Sequence, residues 1–226
     1  MSLRDKLLET NRILRETLSD KSKKIALSFS HQSEDVVVLD LVKNMGVDFS
    51  VFTLDTHKLF DESKAYESEI ENHFGIVIEN FSAPRQDIDT LEERLGEYGI
   101  YESIEARKEC CRVRKLIPLG LALYGKDIWL TGLRADQSVT RANNEAVEFD
   151  AQFGIFKVSP ILAWNKLDIE EYLSMRGIPV NELYSKGYTS IGCKPCTRAI
   201  LEGESERAGR WWWEDPEHKE CGLHRR

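Results

Sequence analysis

The chain has 226 residues, 41% of them hydrophobic and 31% charged, enough for one sizeable domain with its own core. A formal net charge of −8 argues against general nucleic-acid binding, which wants a basic surface, but leaves room for a small anion in a locally basic cleft. No apolar run approaches membrane-spanning length and no early segment has the apolar core of a signal peptide. A cytoplasmic protein with neither membrane nor nucleic-acid partner is therefore expected, in a compartment where structural disulfides are rare.

The opening stretch places Leu3, Leu7, Leu14 and Leu18 at helical spacing, predicting an amphipathic helix over 1–23. "KKIALSFS" reads as a first strand, "HQSED" as a polar turn and "VVVLDLVKNMG" as a buried helix. "FSVFTLDT" is a second strand, followed by a helix through "HKLFDESKAYESEIENHFG" that closes at Gly75. "IVIENFSAP" is a third strand, "DTLEERLGEYG" a polar helix and "CCRVRKLIPLGLALYG" a further helix. "DIWLTGL" gives a fourth strand, "FGIFKVSPIL" another extended run and "NKLDIEEYLSMRG" a capped helix ending at Gly177. Strands alternating with helices predict right-handed crossovers and a mainly parallel α/β sheet, one domain over 1–226. From about Pro179 the periodicity fades, and residues from about 197 to 226 read as a mobile active-site tail rather than a second domain.

Ligands of such sheets bind beyond the carboxyl ends of the strands, where three polar loops fall. "SFSHQSED" sets Ser28, Ser30 and Ser33 at the start of a buried helix, whose free N–H groups can hold an anion; Ser33 could equally be a simple helix cap. "LDTHKLF" offers Asp55 and Thr56 to a ribose or base, or is only a polar turn. "TGLRADQSVTR" carries Arg134 and Arg141 among small donors, a composition suited to phosphate or sulfate and also to a solvated loop.

The five cysteines need a reason other than stapling. Cys110 and Cys111 are adjacent, and Cys193 and Cys196 form "CKPC". Two pairs in one reduced domain suggest a four-thiolate metal centre, with buried unligated thiols as the alternative. Adjacent cysteines reach one zinc ion awkwardly, so an iron–sulfur cluster, whose corners spread the ligands, suits them better. Cys221 is left over, in "KECGLHRR" beside Lys219, His224, Arg225 and Arg226. A thiol of ordinary pKa is only about 3% thiolate at pH 7, and neighbouring cations raise that fraction many-fold.

Taken in order, the serine loop, "LDT…LF", "CC…RK", "GLRADQS…TR", "CKPC", "GRWWWE" and "KECGLH" resemble the thioredoxin-dependent adenylyl-sulfate (APS) reductases, relatives of the 3′-phospho (PAPS) reductases, from about Lys24 onward. The resemblance implies a Rossmann-like sheet of the adenine nucleotide α-hydrolase type. It implies that Cys221 attacks the sulfur of APS, that AMP leaves, and that reduced thioredoxin releases sulfite from the S-sulfocysteine, for cysteine synthesis. It further implies that Cys110, Cys111, Cys193 and Cys196 hold a [4Fe-4S] cluster, and that Lys115, Arg207, Arg210 and His224 line the site near the sulfate. PAPS reductases of the enteric type share "ECGLH" but lack both cysteine pairs, so the pairs favour APS, although some cluster-containing relatives accept both nucleotides. In one loop the chain departs from its relatives: many have a glycine or another short residue where His31-Gln32-Ser33 stands, which leaves that loop's phosphate contacts unassigned. An ATP-pyrophosphatase of the same fold would carry "SGGxDS" there, and this loop has no glycine; a non-catalytic zinc module would give Cys221 no task. The oligomeric state is left open, a homo-oligomer included.

Overall fold

The structure, a computed structural model, describes residues 1–138, 141, 143–215 and 218–219. Six strands form one sheet: β1 (Ile25–Ser28), β2 (Ser50–Leu54), β3 (Ile78–Phe81), β4 (Ile128–Leu130), β5 (Val147–Asp150) and β6 (Ile155–Val158), in the order β3-β2-β1-β4-β6-β5. All pairings are parallel except β5 with β6, an antiparallel hairpin at the edge. The helices are α1 (Leu3–Thr17), α2 (Ser33–Lys43), α3 (Asp61–Phe74), α4 (Arg85–Leu95), α5 (Ile104–Cys111), α6 (Ile117–Leu123) and α7 (Lys166–Arg176). Among the described residues, no helix is long and apolar enough to cross a membrane.

The period-2 alternation of the strands sends their side chains to two cores. Ile25, Leu27, Val51, Leu130 and Val158 pack with α1, α2, α3 and α7, while Ala26, Phe52 and Trp129 face Leu119, Ala122 and Leu123 of α6. Burial on both faces explains why the strands read as near-continuous apolar runs. The edge strand β5 was not anticipated: "VEFD" is short and alternates exposed with half-buried residues, so no apolar run marks it.

The helix expected over "CCRVRKLIPLGLALYG" begins earlier, at Ile104, and is interrupted by a π-helical stretch at Arg112–Leu116, where the Ile117 N–H donates to the Arg112 carbonyl. Pro118 lacks an N–H and its ring would strike the carbonyl four residues back in an ordinary α-helix, so the wider turn relieves it. In the stretch from residue 197 on, Trp211 is buried and its main-chain N–H donates to the Cys196 carbonyl, and the Arg198 N–H donates to the Gly209 carbonyl.

Helices α2 and α7 are joined at Asp40, which accepts from Tyr172 Oη (2.6 Å) and from Arg176 Nε (2.8 Å) and Nη2 (3.1 Å). Burial alone would raise this carboxyl's pKa; the hydrogen bonds from Arg176 and Tyr172 outweigh it and hold the group below its ordinary range. A depressed folded pKa gives stability that is complete above the unfolded value and lost as pH falls through the folded one. Asp40→Asn should therefore flatten the acid limb of the urea midpoint against pH below about 4.

Candidate active site

The chain turns from one side of the sheet to the other between β1 and β4, and the cavity that opens beyond their carboxyl ends is lined by residues after β1, β2 and β4 together with residues 191–193, 207, 210 and 211. The first loop is held from beneath by Asp35. Its Oδ2 accepts from the Ser30 N–H (2.8 Å) and Ser30 Oγ (2.5 Å), and its Oδ1 accepts from the Gly132 N–H (2.8 Å). Burial pushes this carboxyl's pKa up against those bonds. Gly132 has no room for a side chain, since a Cβ there would lie 2.6 Å from the Asp35 backbone nitrogen.

His31 takes φ +64°, the left-handed region that favours glycine, and its buried ring pairs with Glu67 Oε2 at 2.9 Å. The left-handed turn is secured by the Glu67 contact and by Asn181 Nδ2 donating to the His31 carbonyl (3.1 Å). Helix α2 has no side-chain cap: Gln32 occupies that position, Ser33 begins the helix, and the Ser33 N–H is taken by Tyr184 Oη (3.1 Å).

Of the residues singled out from the sequence, Ser28, Ser30, Thr56, Lys115, Arg141, Arg207 and Arg210 line this cavity. Four of them are cationic, and Glu34 and Asp35 line the cavity with them. Arg141 Nη1 donates to Gln137 Oε1 (2.6 Å), Arg207 Nη2 to the Lys219 carbonyl (3.0 Å) and Arg210 Nη1 to the Ile191 carbonyl (2.9 Å). Arg210 Nε is buried without a hydrogen-bond partner among the described residues.

Ser33, Asp55 and Arg134 do not line the cavity. Asp55 Oδ1 accepts the His57 N–H (2.8 Å) in the turn after β2. Arg134 has 0% exposure and is shared by Glu34 Oε1 (3.0 Å), Asp136 Oδ1 (2.8 Å) and Glu206 Oε1 (2.6 Å), so its charge is consumed in joining three segments. Cys221 and His224 lie outside the described residues.

The four remaining cysteines line a second cavity of about 690 Å³, which shares Leu59, Lys115 and Cys193 with the first. The α5 helix and its π-helical continuation bring Cys110, Cys111 and Lys115 to one wall; the turn at Lys194–Cys196 brings Cys193 and Cys196 to another. Cys193 Sγ donates to Thr56 Oγ1 at 3.3 Å. Burial, then the neighbouring Cys193, pushes the Cys196 thiol up to about 12, and burial likewise raises Cys110. Bound metal reverses such a balance by deprotonating its ligands. Among the described residues, no three or more His, Cys, Asp or Glu groups converge as they would around a single metal ion.

Trp211 is the residue that reading the sequence missed. It is 1% exposed, lines the first cavity, and packs with Cys111, Cys193 and Cys196 on the side of the second. The ring centroid lies 4.6 Å from Arg210 Cζ, 4.8 Å from Arg107 Cζ and 6.0 Å from Lys115 Nζ, close enough for cation–π attraction. Its Nε1 is buried without a hydrogen-bond partner among the described residues. The only signal for it was "GRWWWE" itself, in which three tryptophans are indistinguishable.

A doubly wound sheet with a cationic cavity at its switch point defines a binder of an anionic nucleotide-type ligand, and the comparisons sharpen that class. The phosphoadenosine phosphosulfate reductase domain matches residues 24–199, and the chain belongs to this family. It is 46% identical over 202 residues to the adenosine 5′-phosphosulfate reductase of Allochromatium vinosum, covering 89% of this chain and 79% of that protein. It is 48% identical to the one of Agrobacterium fabrum, covering 84% and 74%. The crystal structure of a phosphoadenylyl-sulfate reductase from Candida auris, a phosphate complex, superposes with a TM-score of 0.68 at 18% identity over 85% of this chain and 90% of that one. An NH3-dependent NAD synthetase from Campylobacter jejuni superposes with a TM-score of 0.56 at 10% identity, over 84% and 79%. The fold is thus a mainly parallel α/β sheet shared with that reductase and that NAD synthetase.

Proposed function

We propose that this protein is an oxidoreductase that reduces adenylyl sulfate to sulfite and AMP in sulfate assimilation, with reduced thioredoxin as electron donor and Cys221 as nucleophile. The observation that carries the reading is the cavity where Lys115, Arg141, Arg207 and Arg210 converge beside Ser28 and Ser30, a cationic receptacle in an acidic protein. The names of its relatives supply the substrate class.

In this reading, the Cys221 thiolate attacks the sulfate sulfur. The Sγ–S bond forms as the bond from sulfur to the bridging phosphate oxygen breaks, and AMP leaves with that electron pair. The cations neutralise charge that gathers on the sulfate and the departing phosphate. A thioredoxin thiolate then attacks Cys221 Sγ and expels sulfite, and its second thiol resolves the mixed disulfide. The two electrons that reduce the sulfur come from that dithiol. AMP is a good leaving group, so no acid catalyst is required of the chain.

The cysteines fit a [4Fe-4S] cluster on chemical grounds. Four thiols line one roomy cavity, Arg107, Arg114 and Lys115 line it with them, and Trp211, whose buried Nε1 has no hydrogen-bond partner among the described residues, packs with three of them. A four-iron cluster spreads its ligands farther than a single ion does. Bound there, it would supply a fixed negative charge against which Lys115 is oriented toward the first cavity.

The test is sulfite release from APS and from PAPS by anaerobically purified protein with reduced thioredoxin. Turnover of APS far above that of PAPS is expected; turnover of neither would overturn the reading. Gly192→Ala probes the receptacle without touching a charge. A Cβ at Gly192 would lie 2.3 Å from Arg210 Nη2 and 2.6 Å from Cζ, so the guanidinium must move. A charge-assisted hydrogen bond contributes about 1.5–3 kcal/mol, so kcat/KM for APS should fall about 10- to 100-fold.

A further inference from the structure

We infer that Arg107 is a positioning residue that fastens the root of the reactive tail to the cysteine centre; the inference rests on the reading of Cys221 as the nucleophile. Arg107 stands on α5 one helical turn before Cys111, so both side chains leave the same face, and both line the cysteine cavity. Its guanidinium has 0% exposure. Nε donates to Glu214 Oε1 at 2.8 Å and Nη2 to Glu214 Oε2 at 2.6 Å, a fork on one carboxylate. Nη2 also donates to the His218 main-chain carbonyl at 2.7 Å, and Cζ lies 4.8 Å from the Trp211 ring centroid.

Glu214 and His218 are on the stretch that leads to Cys221. His218 is three residues from it, and three extended residues span at most about 11 Å, so the carbonyl that Arg107 holds sets where Cys221 can reach. The arrangement is not the usual way to satisfy a buried arginine. A carboxylate fork would neutralise the charge alone, whereas the third bond pins main chain of the tail to the helix that carries Cys110 and Cys111. Two weaker ties run beside it: Arg207 Nη2 donates to the Lys219 carbonyl at 3.0 Å, and Lys219 Nζ to the Ala208 carbonyl at 3.3 Å. The Arg107 tie differs from these in reaching the cysteine centre. A ligand cysteine that shifts would thereby move the nucleophile's tether.

Lysine at 107 would keep the positive charge near Cys111 and lose the fork. The test compares the iron-loaded full chain with Arg107→Lys and with Glu214→Gln, which leaves Arg107 in place should the first variant fold poorly. In a single turnover with APS, formation of the S-sulfo adduct on the intact chain, followed by mass spectrometry, should slow about 10- to 100-fold in both variants, the usual consequence of a misplaced reacting group. Iron content and AMP affinity should match the wild type, and trypsin should cleave after Lys219 several-fold faster. Adduct formation within about two-fold of the wild type would overturn the inference, and so would a parallel loss of iron or AMP affinity, which marks a merely structural role. Should the wild type form no adduct at all, the reading of Cys221 fails. The tether is then decided by trypsin alone, and cleavage no faster in either variant overturns it.

Discussion

Replacing Cys221 with serine is expected to lower sulfite release from APS by at least about 10³-fold while leaving the iron content and the AMP affinity of the protein unchanged. A serine hydroxyl at neutral pH is almost entirely protonated, and no base has been assigned to remove its proton. A thiol, by contrast, ionises far more readily, its ordinary pKa lying at about 8.5. The adduct offers a second readout, since a protein incubated with APS and no thioredoxin should gain one sulfite group, and the serine variant none. Serine is also nearly isosteric with cysteine, so a lost reaction cannot be charged to lost packing. Substantial turnover by the variant would remove Cys221 from the chemistry and leave the cationic cavity as a binding site looking for another nucleophile.

Replacing Cys193 with serine should bleach the protein. Of the four cysteines it alone lines both cavities, and its thiol already contacts Thr56, so it stands where the proposed cluster and nucleotide cavities share a wall. Three thiolates and a hydroxyl hold iron poorly. The visible absorbance of the cluster should be lost and iron should fall from about four per chain to well under one. Turnover should fall with it, because the proposed cluster would be the charge facing Lys115. Iron analysis and the visible spectrum of anaerobically purified variant and wild type check this directly. Unchanged iron in the variant would sink the assignment of Cys193 as a ligand, whatever happened to activity. A zinc-loaded, colourless wild type would sink the cluster while sparing the cysteines as ligands.

Much of the site was legible because it is written in short local patterns. An adjacent cysteine pair followed by Arg-Val-Arg-Lys, a CxxC and a serine-rich turn after a strand each declare themselves within a few residues, and the parallel sheet delivers the loops to one edge. Arg134 shows the limit. In the sequence it is an arginine among small donors, like Arg141, yet its partners Glu34 and Glu206 lie about a hundred and about seventy positions away, and only their arrival decides that it braces the site instead of lining it. The same holds for His31. Nothing local says that this residue must take a left-handed backbone, and the energy that keeps it there comes from Glu67 on α3 and Asn181 far down the chain.

The alternation of strand and helix, the apolar strands, the cysteine pairs and the acidic balance of the whole are readable along the linear chain. Those properties are carried by periodicity, composition and spacing, which a linear chain already possesses. Folding in three dimensions is what sets Trp211, one of three consecutive tryptophans, against Arg107, Arg210 and three cysteines, and meets Pro118 with a π-helical turn just past Cys111. It alone decided which of four arginines face the cavity and which are spent on carboxylates. A charge acts through space and its partners are chosen by the fold, so its role is set by distances that no stretch of sequence contains.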